Sequence, residues 1–363
     1  MTNTDTDKLI KELEEITGKT YEPIDVDNIP CEEISDQAVL DKQPLVSVNM
    51  ITYNHEPYIA QAIEGVVNQK TDYPFELIIG EDCSTDRTRE IVLEYQKKYP
   101  DIIRVLYSEN NLGARRNGLR TEKACRGKYI AYCEGDDYWI RDDKLQIQVS
   151  YLEEHPDVGM VHSRAIVNYL TEDIKKVSSK PISLEHENRK TRMGIYLTAN
   201  NFIITCTVVF RANYLKLFHT DSIILCNLLH IGDVQRWVKV ISETPIHFFD
   251  EILGVYNKLP ISATKPSCKH KYLEAIKMER CLYLFYLQGC NLFPRMEAGV
   301  STKFFRRQLR MAIKCRIMKD AKEAYYELKR LKALSYKDFI LFFLFCCSFK
   351  SMIFDTLLYK VIR

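Results

Sequence analysis

Four short apolar runs, each long enough for one buried strand, alternate with segments of helical spacing in the first half of the chain. The runs cover residues 45–51, 75–79, 102–106 and 129–133. A strand–helix–strand–helix order of this kind folds into a parallel sheet with helices on both faces. Ligands of such sheets bind at the carboxyl ends of the strands, and each run here ends in a polar cluster. The sequence therefore predicts an α/β fold with a mostly parallel central sheet and a site at the strand ends.

The polar cluster after the fourth run consists of Glu134, Gly135, Asp136 and Asp137. Three carboxylates this close repel one another and resist the loss of water, so one would take up a proton unless a cation lies among them. Hard oxygen ligands at the end of a strand suit Mg²⁺ or Mn²⁺, which can also hold the phosphates of a substrate. The alternative is an ordinary solvated acidic turn between a strand and a helix.

The polar residues after the first two runs suit a nucleotide. Thr52, Tyr53 and Asn54 could cover a base, with the ring of Tyr53 as a stacking face. Asp82 and Asp86 could accept hydrogen bonds from a base N–H or a ribose hydroxyl, although Asp86 could equally cap the helix that follows. The sequence contains neither GxGxxG nor GxxxxGK(S/T), so neither the usual dinucleotide-binding fold nor a P-loop is indicated.

Glycines and arginines follow the third run. Gly113 and Gly118 could let the backbone approach a phosphate, and Arg115, Arg116 and Arg120 could supply cations beside it. An ordinary solvated start of a basic helix is the simpler explanation of the arginines.

Taken in order, these clusters carry a resemblance to a known family. Residues 46–54, 81–86, 111–113 and 134–137 resemble the successive motifs of family 2 glycosyltransferases, over roughly residues 44–265. The resemblance implies a GT-A fold and an inverting transfer of a sugar from a nucleotide-sugar, with a UDP-sugar as the expected donor. It also implies a divalent metal, Mn²⁺ or Mg²⁺, on the diphosphate.

The same match implies roles for individual residues. Tyr53 and Asp82 would contact the nucleoside, and Asp136 would bind the metal. Glu134 stands where the family usually has its first Asp. The residues predicted to bind the nucleotide-sugar are Thr52, Tyr53, Asn54, Glu56, Asp82, Ser84, Asp86, Asn111, Gly113, Glu134, Gly135 and Asp137.

A further carboxylate, Asp233, is the predicted catalytic base. An inverting transfer needs one carboxylate to take the proton of the acceptor hydroxyl as that hydroxyl attacks opposite to the leaving group. The family places this base in a Gly-Asp or Glu-Asp pair at the start of a helix, and Asp233 follows Gly232 at such a position. A helix cap is the ordinary alternative role for Asp233, and His230 is its nearest competitor as the base.

Three further residues are predicted to lie on the acceptor side of the site. Thr205 belongs to residues 200–211, which resemble the family's strand on that side. Arg236 and Trp237 loosely resemble the QxxRW motif of processive polysaccharide synthases. Those synthases carry several membrane spans, whereas this sequence contains no apolar run of about eighteen residues, so a single addition is expected.

One motif departs from the family pattern. Many relatives close the catalytic domain with Tyr-Arg-x-His, and the equivalents here are Tyr256, Asn257 and Leu259. Both cationic partners are missing, so no metal ligand is carried over to this position. Lys258 or Lys265 could supply the charge instead.

The chain divides into three parts by composition. Residues 1–43 hold about three acids for each base and are predicted to form an acidic extension, with a short helix and then an irregular arm. Residues 44–265 form the GT-A domain, in which the polar residues 170–192 are predicted to be a mobile loop over the site. Residues 266–363 are predicted to be a helical region.

The apolar residues 339–347 lie near the end of the helical region with lysines on either side. Nine such residues are too short to span a bilayer, but they suit a helix that lies at a membrane surface. A core helix or an oligomer interface explains them equally well.

Net charge and cysteine usage limit the remaining possibilities. A net charge of +2 gives no support to nucleic-acid binding, and the scattered cysteines favour a reducing cytoplasm. The sequence therefore predicts a cytoplasmic enzyme, or one at the inner face of the membrane, that adds one sugar to a carbohydrate or lipid-linked acceptor in surface polysaccharide biosynthesis. The alternatives are a sugar nucleotidyltransferase, whose glycine-rich loop is missing here, and a non-catalytic scaffold that binds nucleotide-sugars.

Overall fold

The computed structural model describes residues 3–170, 172–178, 182–199, 202–229, 232–259, 268–289 and 293–348. Its strands are β1 (Glu32–Ile34), β2 (Val46–Thr52), β3 (Phe75–Glu81), β4 (Ile103–Tyr107), β5 (Tyr129–Tyr132), β6 (Tyr138–Trp139), β7 (Met160–Tyr169), β8 (Ile174–Val177), β9 (Val209–Arg211) and β10 (Ile246–Lys258). Its helices are α1 (Asn3–Thr17), α2 (Gln37–Leu40), α3 (Ile59–Val67), α4 (Thr88–Lys98), α5 (Ala114–Ala124), α6 (Lys144–Glu154), α7 (Arg189–Thr198), α8 (Leu215–Thr220), α9 (Asp233–Glu243), α10 (Lys269–Gly289), α11 (Phe293–Cys315), α12 (Met318–Arg330) and α13 (Tyr336–Ser348).

One sheet joins both halves of the domain. Its strand order is β1-β4-β3-β2-β5-β9-β7-β10-β6, with β8 paired to β7. Strands β4, β3, β2 and β5 are parallel neighbours, and β7 and β10 form a second parallel pair. The short strand β9 runs antiparallel between β5 and β7 and so connects the two parallel groups. The predicted α/β architecture with a mostly parallel sheet is confirmed.

Strand β2 shows why the centre of the sheet is buried on both faces. Val46, Val48 and Met50 pack into the core on one face. On the other face the polar residues Ser47 and Asn49 are also buried and find partners, as parallel strands covered by helices require. The Asn49 side-chain amide donates to Thr121 Oγ1 of α5 at 2.9 Å, which holds that helix against the sheet.

The N-terminal segment is part of the fold rather than an irregular arm. Leu9 and Leu13 of α1 are buried in the same core cluster as residues of α10. Strand β1 pairs antiparallel with β4 and forms an edge of the sheet. The predicted short helix is confirmed as α1, whereas the prediction of an irregular arm after it was wrong. The acidic background hides a few apolar anchors, among them Ile24, Ile29 and Val39, that are sufficient to dock the arm.

Two sequence predictions in the second half of the domain need correction. The segment 170–192 contains β8, which forms a hairpin with β7, and the first turn of α7, so its described part is not an irregular loop. Residues 171 and 179–181 lie outside the described residues. Residues 202–211 do not form one strand, because the short 3₁₀ turn Thr205–Thr207 precedes β9.

The C-terminal helices α10 to α13 pack against one another, as the helical prediction requires. Leu341 and Phe345 of α13 are buried in a core cluster shared with α11 and α12. Phe339 and Phe343 of the same helix are exposed, by 45% and 53% respectively. No helix in the described part of the chain is both long and apolar enough to cross a membrane.

Candidate active site

The loops that follow β2 and β3 are joined by hydrogen bonds. The Asn54 N–H donates to Ser84 Oγ at 3.0 Å, and the Thr85 N–H donates to Asn54 Oδ1 at 2.8 Å. Asn54 has a φ of 54°, a left-handed conformation that asparagine tolerates better than most residues. Tyr53, just before it, remains 42% exposed and presents its ring at the end of the sheet.

A second set of bonds joins the same two loops. The Glu56 N–H donates to Asp86 Oδ2 at 3.1 Å, and the Arg87 N–H donates to Glu56 Oε2 at 3.2 Å. The other oxygen of Asp86 accepts from the Thr88 N–H at 3.0 Å, at the start of α4. Asp86 therefore has the capping role that the sequence left open, and its carboxylate also braces the first loop.

Asp82 connects the ends of three strands. Its N–H donates to the Thr52 carbonyl at 3.1 Å, so the end of β3 is fixed to the end of β2. Its two oxygens accept from the Leu112 and Gly113 N–H groups at 2.8 and 2.9 Å. The Asn111 side chain completes this contact by donating to the Asp82 carbonyl at 2.9 Å. Asp82 thus positions the loop before α5, and burial raises the pKa of its carboxyl despite these bonds.

Gly135 lets the acidic turn pack directly on the end of β2. Its N–H donates to the Ile51 carbonyl at 2.9 Å. A Cβ atom at this position would lie 2.6 Å from Thr52 Oγ1, which is closer than real contacts allow. Only glycine fits without displacing Thr52, whose hydroxyl lies 3.2 Å from His55 Nδ1.

Asp137 faces β10 and fixes the turn to the second half of the sheet. Its Oδ1 accepts from the Asn257 N–H at 2.9 Å, and the Asn257 side chain donates to the Asp136 carbonyl at 2.6 Å. Asn168 in turn donates to Asn257 Oδ1 at 2.8 Å. Asn257, which replaces the arginine of the family motif, therefore binds the acidic turn itself.

The carboxylates of the turn are strongly perturbed by burial and by one another. Burial raises the pKa of Glu134 to about 8, and the charges of Asp233 and Asp136 add to the effect. Burial also raises the pKa of Asp136, against the opposing charge of His55. Glu134 Oε2 is buried without a hydrogen-bond partner. These side chains would be stabilised in their charged form by a cation.

The acidic turn fits a divalent cation that also takes ligands from a substrate. In the described ranges, no three His, Cys, Asp or Glu side chains meet in a set that could hold a metal ion by themselves. Mg²⁺ is usually held by one or two carboxylates together with substrate phosphates, so an incomplete protein set is the expected arrangement. Asp136 and Glu134 are the residues that could contribute, because Asp137 is bound to β10.

Asp233 lies near the acidic turn, on an element of the other half of the domain. It is the first residue of α9, and its Oδ2 accepts from the Thr205 hydroxyl at 3.0 Å. Burial raises the pKa of Asp233, while the charge of Arg236 and the bond from Thr205 lower it. The charge of Asp233 in turn raises the pKa of Glu134, so the two carboxylates lie close enough to interact. The competing His230 lies outside the described residues.

The prediction that Trp237 contacts an acceptor was wrong. Its side chain is fully buried, with edge-to-face contacts at 5.8 Å to Tyr132 and 6.2 Å to Phe210. Its place on the apolar face of α9 turns it toward the sheet. Arg236 is buried too, and its Nη2 lies 2.9 Å from Glu122 Oε1 on α5. Thr205 remains beside the pocket through its bond to Asp233.

Two of the arginines of α5 have different surroundings, and neither is shown to contact a phosphate. Arg116 is exposed, as on a solvated helix start. Arg120 is buried and donates to the carbonyls of Glu81 and Pro30 at 2.8 and 3.2 Å, so its role is structural. Lys258 is exposed, with its ammonium 4.8 Å from the centre of the Tyr169 ring, and Lys265 lies outside the described residues.

The sequence prediction included Tyr256 only as part of a motif and did not include Glu122. Burial raises the pKa of Tyr256 well above its ordinary value, and the charges of nearby carboxylates add to the rise. These carboxylates are Asp137, Asp136, Glu134 and Asp233. Tyr256 matches the first position of the Tyr-Arg-x-His pattern, which was a usable signal. Glu122 carried no signal, because it lies inside a helix whose residues read as solvated.

Comparison with known proteins agrees with this geometry. Residues 47–223 match the family model described as "Glycosyl transferase family 2". The chain thus contains a segment that is similar to the family 2 glycosyltransferases. The matched region contains the loops after β2 to β5 and therefore the whole acidic turn, whereas Asp233 lies beyond its end.

Curated relatives of this chain include bacterial proteins. An uncharacterised protein of Mycobacterium tuberculosis is 40% identical over 167 residues, which are 46% of this chain and 46% of that protein. The chain thus spans about half the length of that relative. The putative teichuronic acid biosynthesis glycosyltransferase TuaG of Bacillus subtilis is 28% identical over 201 residues, covering 55% of this chain and 73% of TuaG.

A solved structure shares the fold of this chain. It is residues 1–349 of TarS from S. aureus, in complex with UDP-GlcNAc. The TM-score is 0.52 at 18% identity, over 87% of this chain and 90% of that chain. The expected GT-A fold is thereby confirmed.

Proposed function

We propose that this glycosyltransferase moves one sugar from a nucleoside-diphosphate sugar to a carbohydrate or lipid-linked acceptor, with inversion at the anomeric carbon. The observation that carries the proposal is that the 3₁₀ turn Thr205–Thr207 connects Asp233 with the acidic turn. Thr205 donates to Asp233, and the carbonyl of the next residue, Cys206, accepts from Trp139 Nε1 at 2.7 Å, two residues after Asp137. A leaving group and a base on separate elements are what an in-line displacement needs. The relative named for teichuronic acid biosynthesis supports a role in surface polysaccharide biosynthesis.

The donor would bind at the ends of β2 to β5. The exposed ring of Tyr53 would stack on the base, and the loop held by Asp82 would face the nucleoside. Asp136 and Glu134 would hold a Mn²⁺ or Mg²⁺ ion, which would neutralise charge on the diphosphate when bound. Asp137 and Gly135 would act through position, because the first fixes the turn to β10 and the second packs it on Thr52.

Asp233 would act as the base. As the acceptor oxygen forms its bond to the anomeric carbon, the bond from that carbon to the diphosphate oxygen breaks and the nucleoside diphosphate leaves. The proton of the acceptor hydroxyl passes to Asp233, which Thr205 holds through a hydrogen bond of 3.0 Å. Attack from the side opposite to the leaving group inverts the configuration.

The two alternative functions make different predictions. A sugar nucleotidyltransferase would join a sugar phosphate to a nucleoside triphosphate and release pyrophosphate, whereas the transferase releases a nucleoside diphosphate. A non-catalytic scaffold would bind the donor and release nothing. The family match supports the transferase over both.

Binding of UDP with and without a divalent metal tests the donor site. We expect calorimetry to show much tighter binding of UDP in Mn²⁺ or Mg²⁺ than in EDTA, and the difference should vanish in Asp136→Ala. Asp142→Ala is the control, because Asp142 is exposed and pairs only with the exposed Lys70. Equal binding of UDP by the wild-type protein with and without metal would contradict the assignment of Asp136.

Helix α13 is our candidate for contact with the inner face of a membrane. Phe339 and Phe343 are exposed and stacked with ring centres 6.2 Å apart, and Lys337 is exposed beside them. We expect the protein to sediment with anionic vesicles and to be released by high salt. Phe339→Ser with Phe343→Ser should weaken this binding, whereas Leu40→Ser at another exposed apolar residue should not. Failure of the wild-type protein to sediment would contradict the proposal.

A further inference from the structure

A buried ion pair lies behind the proposed base. Glu122 of α5 is 1% exposed, and its Oε1 lies 2.9 Å from Arg236 Nη2. The Tyr132 hydroxyl donates to the same oxygen at 2.7 Å, and His219 Nε2 lies 3.7 Å from the other oxygen. Burying two charges costs several kcal/mol per ion, so a pair in this position does not by itself indicate stability. Its place next to the site suggests a function.

The guanidinium of Arg236 occupies a space left open by Gly232, because a Cβ atom there would collide with Nη1. Gly118 borders the same space, and a Cβ atom at that position would make an ordinary contact, 4.0 Å from Nη2. The ring of Phe218 covers the group, with 5.6 Å between Cζ and the ring centre. The guanidinium is therefore held toward α5 by shape as well as by charge.

Arg236 also lies within reach of Asp233. The two residues are three positions apart on α9, so their side chains share one face of the helix. The charge of Arg236 lowers the pKa of Asp233, and the charge of Glu122 raises it. Other groups that face Asp233 are Thr205, Glu134, Tyr196 and Tyr256. The two carboxylates Glu122 and Asp233 thus compete for one cation.

A direct ion pair with Arg236 would disable the proposed base. A guanidinium bound to a carboxylate occupies the oxygen lone pairs that would accept the acceptor's proton. It also favours the charged form of the carboxylate and so weakens it as a base. The pair between Arg236 and Glu122 opposes this, because Glu122 Oε1 holds Nη2 of the guanidinium at 2.9 Å.

We propose that Glu122 is a positioning residue for sugar transfer, which keeps Arg236 away from Asp233 and leaves that carboxylate free to take the proton. The inference rests on the proposed role of Asp233. It assigns a function to a buried side chain that touches neither donor nor acceptor. It also explains why glycine stands at position 232, since a Cβ atom there would collide with the guanidinium.

A pair of substitutions tests the proposal by rescue. In Glu122→Gln the cation loses its partner and should turn to Asp233. We then expect kcat to fall about ten- to hundredfold, which is less than the about 10²–10⁴-fold that loss of a general base costs. The KM for the donor should stay unchanged, and the acid limb of the pH–rate profile should move to lower pH. In Glu122→Gln with Arg236→Gln the competing cation is gone, so kcat should recover toward the wild-type value.

A purely structural role for Glu122 gives different results. Loss of packing would lower activity without moving the pH profile, and the second substitution would make it worse; either result would overturn the proposal. If Glu122→Gln does not fold, Gly232→Ala provides the same test, because its Cβ displaces the guanidinium from its space. That variant should show the same loss of kcat and the same shift of the acid limb, and unchanged values would overturn the proposal.

A readout without turnover separates this inference from the proposed function. The pKa of Asp233 can be followed by carbon NMR of the labelled carboxyl in the wild-type protein and in Glu122→Gln. We expect a lower pKa in the variant, and an unchanged pKa would overturn the positioning role. An absence of transfer by the wild-type protein, with this shift present, would contradict the proposed function alone.

Discussion

The residues of the acidic turn have distinct surroundings, although the sequence presents them as one run. Asp137 is bound to the backbone of β10, and Gly135 is packed on Thr52. Glu134 and Asp136 are not held in this way, and burial raises the pKa of both side chains. The sequence could indicate that a charge cluster exists here. It could not indicate which carboxylates are used by the fold itself, because that depends on β10, which comes more than a hundred residues later in the chain.

Substitution of Gly135 tests the fit of this turn on β2. In Gly135→Ala the new methyl group meets Thr52 Oγ1 at 2.6 Å, so the turn must move. We expect a loss of about 1–3 kcal/mol in the free energy of unfolding, the usual cost of overpacking. Affinity for UDP with Mn²⁺ should fall at least tenfold.

Gly299→Ala is the matched control for this substitution. Gly299 lies in α11 with no atom within 4 Å of its missing Cβ, so alanine should be neutral or slightly stabilising. An equal loss of stability and affinity in both variants would contradict the tight fit at Gly135. The measurements are chemical denaturation and calorimetry.

Elements of the first half were predictable because their signals are local. The predicted runs 45–51, 75–79 and 129–133 correspond to the strands β2, β3 and β5, each followed by a polar loop. Residues 202–211 and strand β8 were not predictable in the same way. Their conformation follows from pairing with β7 and from the buried 3₁₀ turn Thr205–Thr207, and these contacts leave no period in the sequence.

Helix α6 begins with a buried lysine that gives a pH prediction. Lys144 is fully buried, donates to Gln148 Oε1 at 2.7 Å, and lies 4.1 Å from the ring centre of Trp139. Burial lowers its pKa to about 7 from the ordinary 10.5. Between pH values of about 7 and 10.5, the amine of Lys144 therefore carries a proton in the unfolded chain but not in the folded chain. Stability should rise with pH across this window and lose that contribution as the pH falls toward 7.

Denaturation at several pH values tests this prediction. In Lys144→Met the rise between pH 7 and about 10.5, the ordinary lysine range, should disappear. Lys97→Met is the control, because Lys97 is exposed on α4 and its variant should keep the wild-type slope. An unchanged slope in Lys144→Met would contradict a neutral buried amine.

At the scale of the molecule, the site lies where the two parallel groups of the sheet meet. The loops after the first group and the acidic turn lie here, together with Tyr256 of β10, Thr205 of the 3₁₀ turn before β9 and Asp233 of α9. Motif order alone indicated a role for Asp233. The ion pair between Glu122 and Arg236 could not be predicted, because it joins α5 to α9, which are far apart in the chain and meet on one face of the sheet at Tyr132. Trp237 was misassigned because a motif position does not reveal which face of a helix is buried.

Turnover of Asp233→Asn is the most direct test of the central claim, which is that the acidic turn and Asp233 form one transferase site. Asparagine keeps the size and can still accept from Thr205, but it cannot take a proton. We expect release of UDP from the donor in the presence of acceptor to fall by about 10²–10⁴-fold. Binding of UDP with Mn²⁺ should be unchanged, and Asp250→Asn on the exposed surface should behave as wild type. Near-normal turnover in Asp233→Asn would contradict the claim, since the base would then lie elsewhere.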